Sequence, residues 1–108
     1  MVCALPARSL VDGKEQRSVY EWDEFNVDHI QRHGVQPEET EEALADPLRI
    51  AGRAYNTFGE RRAAAVGATL DGRILYVVYT GRYNKYRVIT ARDAEPSERK
   101  RYRRRKPW

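Results

Sequence analysis

A chain of 108 residues, 41% hydrophobic and 33% charged, has room for one small domain with a modest core and argues against a second. Its single cysteine, Cys3, excludes an internal disulfide framework and a cysteine-rich zinc site. No apolar run approaches the roughly 20 residues of a membrane span, and Met1 to Pro6 lack the basic start and apolar length of a secretory signal, so a soluble, cytoplasmic protein is expected.

The net charge of +4 conceals a steep asymmetry. Residues 1–48 carry 4 basic and 11 acidic side chains, residues 49–92 carry 9 and 2, and residues 93–108 carry 7 and 3. An acidic front therefore precedes a basic rear, and the rear suits a phosphate-rich partner.

Residues 1–18 show no helical or strand period and read as a mobile leader to a single domain over 19–106. A short β-prone run, Val19 to Trp22, comes next. Asp23 is a good N-cap for a helix from Glu24 to His33, and Gly34 supplies its stop. Pro37 suits the first position of a second helix, whose Glu38, Glu39, Glu41 and Glu42 complement the positive end of the dipole. Asp46-Pro47 ends it, because the residue before proline is pushed out of the helical region.

From Leu48 the period changes to that of strands: Leu48 to Tyr55, Arg61 to Leu70, Arg73 to Thr80 and Tyr86 to Arg92. Asp71-Gly72 predicts a type I′ hairpin turn, and Gly81 to Lys85 a longer loop. After Pro96, Ser97 to Lys106 reads as a final, arginine-dense helix. The fold class is thus α+β, a small antiparallel sheet of four to five strands with two N-terminal helices and one C-terminal helix.

If Leu70 opposes Arg73 and Thr80 opposes Tyr86, one sheet face carries Arg61, Ala63, Ala65, Gly67, Tyr76, Val78, Thr80, Arg82, Tyr86, Val88, Thr90 and Arg92. The other carries Ala64, Val66, Ala68, Leu70, Leu75, Val77, Tyr79, Ile89 and Ala91, with Arg62, Arg73 and Arg87 at its margins; being the more apolar, it should lie under the two helices. The first is then the working surface. Arginine forks grip phosphate and aromatic rings stack on bases, so Arg82, Arg87, Tyr76 and Tyr86 are candidate contacts to a single-stranded nucleic acid. The plainer alternative is solvated arginines at strand ends and tyrosines filling gaps under the last helix.

Seven of the eight residues from Arg99 to Lys106 are cationic, more than a helix end needs, which adds Arg103 and Arg104 as sequence-independent phosphate contacts. His29 and His33 stand four apart on one helix, a spacing compatible with a metal, yet no partner with ligand spacing exists elsewhere, so packing or capping comes first. His33, beside Gly34, is placed to contact phosphate, to act as an acid or to bind the last helical carbonyls. No nucleotide-binding glycine motif or nucleophile elbow is present, and no cofactor is expected.

Trp22-Asp23, His33-Gly34-Val35, Glu38-Glu39, Asp46-Pro47, Glu60-Arg61, Gly67, Asp71-Gly72-Arg73 and Arg87-Val88-Ile89-Thr90-Ala91-Arg92, with Glu98 and Tyr102, together resemble the BrnT family of bacterial type II toxins, as a divergent branch. The departures are Asn26 and His29, where the first helix usually shows a lysine and an asparagine, and Thr90, where serine is usual. The resemblance implies a RelE-like ribonuclease fold with helices on one side of the sheet, and metal-independent cleavage of RNA that inhibits growth or translation. It also implies hetero-oligomeric neutralisation by a cognate antitoxin, commonly of ribbon-helix-helix type. In such a mechanism Arg61 and Arg92 take the scissile phosphate, Arg82 and Arg87 flanking phosphates, and Tyr102 or His33 proton transfer or stacking; no general base stands out. The alternative is a non-catalytic nucleic-acid-binding or protein-interaction module on the same fold.

Overall fold

The structure, a computed structural model, describes residues 19–53, 61–82 and 84–105, the side chains of Arg82 and Arg105 excepted. The leader at 1–18, the expected strand beyond Arg53 and the last three residues lie outside the described residues. In chain order the elements are β1 (Tyr20–Glu21), α1 (Glu24–Gln31), α2 (Pro37–Ala45), β2 (Ile50–Ala51), β3 (Ala63–Ala68), β4 (Ile74–Arg82), β5 (Lys85–Asp93) and α3 (Pro96–Arg105). They form a five-stranded sheet ordered β1-β5-β4-β3-β2. The sheet is mixed, because β1 runs parallel to β5, with Tyr20 beside Tyr86. Among the described residues no helix is long and apolar enough to cross a membrane.

Local signals place the helices as expected. The Asp23 carboxylate accepts the N–H groups of Phe25 and Asn26 at 2.9 and 3.0 Å, and the Asn26 side chain accepts the Asp23 N–H at 2.8 Å, a reciprocal cap. The Asn26 amide also donates to the carbonyls of Glu21 and Val88 at 2.9 and 3.1 Å, tying α1 to β5 where the short β1 ends. Gly34, at φ +75°, closes α1. In α2 the Glu39 carboxylate accepts the Gln36 N–H at 2.9 Å.

The first hairpin corrects the expected register. Gly67 pairs with Leu75 and Ala68 with Ile74, while the Thr69 N–H donates to the Arg73 carbonyl at 2.8 Å. Leu70, Asp71 and Gly72 thus form a three-residue loop in which only Gly72 has positive φ, +88°, whereas a type I′ turn needs two such residues. The shift of one residue turns β3 over. Ala64, Val66 and Ala68 share a face with Ile74, Tyr76 and Val78, while Ala63, Ala65 and Gly67 lie with Leu75 and Val77 under the N-terminal helices.

The second hairpin carries a bulge: Val78 pairs with Thr90, then Tyr79 with Val88, leaving Ile89 as the extra residue. Thr80 consequently opposes Arg87, not Tyr86. The bulge moves Val88 and Tyr86 off the expected working face. Val88 is fully buried with Ile30, Val35, Ala43, Leu75, Val77 and Ala91, and Tyr86 packs edge-on against Tyr79 with ring centroids 5.7 Å apart.

A second cluster, Ile50, Val66, Ala94 and Tyr102 with Leu48, Ala68, Ile74 and Tyr76, occupies the opposite face. Helix α3 therefore packs on the side away from α1 and α2, a departure from the one-sided arrangement that the family resemblance implied.

Arg73 joins three segments. It donates to Asp93 at 2.6 and 3.1 Å, to Glu39 at 3.1 Å and to the Gly34 carbonyl at 2.9 Å. The hydrogen bond from Arg73 holds the Asp93 carboxyl below the usual carboxylate range. A lowered folded-state pKa stabilises the fold above the unfolded value, about pH 4, and that contribution disappears as pH falls through the folded value. Arg73→Met is expected to cost about 1–2 kcal/mol at pH 7 and to flatten the acid limb of a Tm-versus-pH curve. An unchanged acid limb would show that Asp93 draws its stabilisation elsewhere.

Gly67 meets α2 with no room for a side chain: an added Cβ would lie 2.2 Å from the Ala43 carbonyl oxygen. The neighbour is helical backbone and cannot swing away. Gly67→Ala should destabilise the protein by about 1–3 kcal/mol in chemical denaturation.

Candidate active site

The register sets Arg92 of β5 opposite Tyr76 of β4, and the Arg92 guanidinium lies 4.1 Å from the Tyr76 ring centroid. From the first turn of α3, Glu98 receives it at 2.9 and 3.1 Å, one oxygen to each terminal nitrogen. Arg92 also donates to the Asp93 carbonyl at 3.0 Å. Glu98 serves its helix as well, accepting the Glu95 N–H at 2.7 Å. Burial by itself would raise the Glu98 carboxyl, but the Arg92 hydrogen bond and the Glu95 N–H outweigh it and hold the group below the usual range. The same pair raises Arg92 further above its ordinary value.

Around this pair lies a cleft of about 370 Å³, lined also by Arg53, Glu95, Ser97 and Arg101. The Tyr76 hydroxyl donates to the Arg53 carbonyl, and Arg101 donates to the Ala51 carbonyl at 2.7 Å, which fastens α3 to β2. Three guanidinium groups thus border one aromatic ring and two carboxylates. Such a set can bind a phosphodiester and stabilise added negative charge on it.

Of the residues singled out in the sequence, Arg92 and Tyr76 meet in this cleft. Arg61 is exposed at the other end of the sheet, its carbonyl accepting the Thr80 hydroxyl at 2.7 Å. Thr80 stands four positions from Tyr76 along β4, about 13 Å. His33 lies past α1, its ring edge-on to His29 with centroids 5.3 Å apart, and His29 Nε2 is 3.1 Å from the Thr90 hydroxyl. Neither histidine lines the cleft. Arg87 pairs with Asp23 at 2.8 Å and Glu21 at 3.7 Å. Tyr86 stays 46% exposed on the helix side, whereas Arg103 and Arg104 are exposed on α3. The side chain of Arg82 lies outside the described residues.

Tyr102 is only 4% exposed, and its hydroxyl donates to Asp46 at 2.5 Å. Burial first, then that hydrogen bond and the Asp46 charge, push its pKa up to about 12. The same carboxylate accepts the N–H groups of Leu48 and Ala68, both at 2.9 Å. In this position Tyr102 secures α3 to the end of α2 and the edge of β3.

Arg53, Glu95 and Ser97 escaped the sequence reading, Arg101 was noticed only as part of the cationic run, and Glu98 without a location. The run Glu95-Pro96-Ser97-Glu98 was the available signal, since a glutamate three residues after a cap and a proline at the first helical position mark a helix start.

A small basic α+β domain with an arginine-bordered cleft has the chemistry to hold phosphodiesters. A family model described as the ribonuclease toxin BrnT of type II toxin-antitoxin systems matches residues 22–98, and the chain belongs to that family. No individual curated protein matches it. Membership gives the chain an RNA target and an antitoxin partner. The matched span ends at Glu98, so the cationic part of α3 lies beyond it.

Tyr102→Phe keeps the ring and removes the donor to Asp46. The expected loss is about 1–2 kcal/mol of stability in urea denaturation, with RNA cleavage retained below the melting point. The raised Tyr102 pKa stabilises the fold fully below the unfolded value near pH 10 and ceases to do so as pH rises through about 12. Cleavage lost in a folded Phe variant would return Tyr102 to the chemistry.

Proposed function

We propose that the chain cleaves single-stranded RNA at the cleft between β5 and the start of α3, without a metal ion, by attack of a ribose 2′-hydroxyl on the adjacent phosphorus. One observation carries this reading: Arg92 is braced and still has donors to offer. Of its five N–H groups, three serve Glu98 and the Asp93 carbonyl. The N–H groups that no other described residue takes up, on Nε and Nη2, form the side edge of the guanidinium and match two oxygens of one phosphate.

Because Tyr76 and Glu98 already hold the guanidinium, it stabilises the charge that develops at phosphorus without reorganising. Arg53 and Arg101 engage the adjoining phosphates. Arg61 at the far end of the sheet, and Arg103 and Arg104 on α3, hold the strand further along through contacts that carry no sequence preference. The cognate antitoxin, of ribbon-helix-helix type in a hetero-oligomer with this chain, presents an acidic segment that covers the arginines. Charge attraction hastens its association and buried apolar contacts retain it.

Incubating the purified protein with a long single-stranded RNA in EDTA tests this reading. Cleavage with 2′,3′-cyclic phosphate ends is expected, and Arg92→Ala should lower it at least about 10²-fold. Binding without cleavage would make the chain a nucleic-acid-binding module, and cleavage unchanged in the Arg92 variant would move the site.

A further inference from the structure

The cleft contains two carboxylates in opposite states. Glu98 is fully engaged: one oxygen accepts from Arg92 at 2.9 Å and from the Glu95 N–H at 2.7 Å, the other accepts from Arg92 at 3.1 Å, and the side chain is 14% exposed. Glu95 lines the same cleft and is exposed, and its carboxylate makes no hydrogen bond or ion pair among the described residues. It lies near enough for its charge to act on Arg92. Its backbone is nonetheless held, because its N–H is bound by Glu98 at the head of α3.

We propose that Glu95 is the general base of the cleavage reaction, and that Glu98 is a positioning residue acting through Arg92; this rests on the ribonuclease reading of the cleft. A base needs an uncommitted lone pair, access to solvent and a place beside the phosphate-binding donors. Glu95 meets all three conditions. The other candidates are committed or remote: Tyr102 is buried against Asp46, Asp93 is held by Arg73, and His29 and His33 stand together at α1.

In the reaction the Glu95 carboxylate takes the proton of the 2′-hydroxyl as the 2′-oxygen bonds to phosphorus. The bond from phosphorus to the 5′-oxygen breaks, its electron pair leaves with that oxygen, and water supplies the proton that completes the 5′-hydroxyl. Glu95 then returns its proton to solvent, leaving a 2′,3′-cyclic phosphate. The Arg53, Arg92 and Arg101 guanidiniums facing the cleft stabilise the phosphorane charge while this transfer occurs.

The test compares the intact protein with Glu95→Gln, Glu95→Ala and Glu98→Gln on two ligands, an RNA and the same RNA carrying a single 2′-deoxy substitution at the cut position. Both Glu95 variants should cleave about 10²-fold more slowly at saturating RNA, while affinity for the uncleavable analogue stays within about twofold of the original. Added formate should restore part of the Glu95→Ala rate and none of the Glu98→Gln rate, which should fall together with analogue affinity. A Glu95→Ala protein that cleaves at the original rate, or that loses analogue binding and gains nothing from formate, overturns the assignment. An unsubstituted protein that binds both ligands and cleaves neither overturns the ribonuclease reading and the base along with it.

Discussion

The pairing of Thr69 with Arg73 across a three-residue loop decides which layer each side chain of β3 meets. In that register Gly67 lies beneath α2, where no Cβ would fit, and Val66 lies on the opposite face beside Tyr76 and Tyr102. A shift of one residue would set Val66 against the Ala43 backbone and remove it from the second cluster. Two cores, two packed faces and the seat for α3 all follow from this one alignment, which the Thr69 hydroxyl reinforces by accepting the Arg73 N–H at 3.1 Å.

Layers stacked on both faces of so small a sheet need ties at their edges, and two polar groups provide them. Arg73 links the end of α1, the start of α2 and β5. Asp46 links the end of α2, β3 and α3. Each satisfies several donors or acceptors at once, so neither leaves a half-buried charge uncompensated, the condition under which such groups support a fold. Asp46 also anchors α3 through Tyr102, one turn from Glu98, on the side of the sheet that holds the Arg92 cleft.

The distribution of charge acquires a spatial meaning in this arrangement. The acidic residues of α1 and α2 lie on one face of the sheet, and the cationic helix α3 on the other, so the electrostatic potential favours a polyanion on the side that holds Arg92 over the side that does not. Within the cleft the balance is local. Glu98 offsets Arg92 enough to hold it still, while Arg53 and Arg101 keep the surroundings positive. This division of labour lets one carboxylate serve geometry and leaves the other, Glu95, open to solvent.

The sequence by itself determined what local chemistry controls: the helix start at Asp23, the stops at Gly34 and Asp46-Pro47, the strand periods of β3 to β5, the arginine-rich last helix and membership of the BrnT family. It also pointed to Arg92 and Tyr76, because the one-residue shift of the second hairpin and the extra residue at Ile89 offset each other and leave both on one face. Only the tertiary structure decided the rest. A two-residue and a three-residue loop around Asp71-Gly72 differ by hydrogen bonds that both strands must make together, and the bulge at Ile89 shows only in the pairing of β4 with β5. Those two events removed Tyr86 and Val88 from the expected surface and turned β3 over. The roles of Tyr102, Glu95 and Glu98 were equally hidden, since a helix rich in arginine carries no apolar stripe to announce the face it buries, and the contact that orients it, Tyr102 to Asp46, spans 56 positions of the chain.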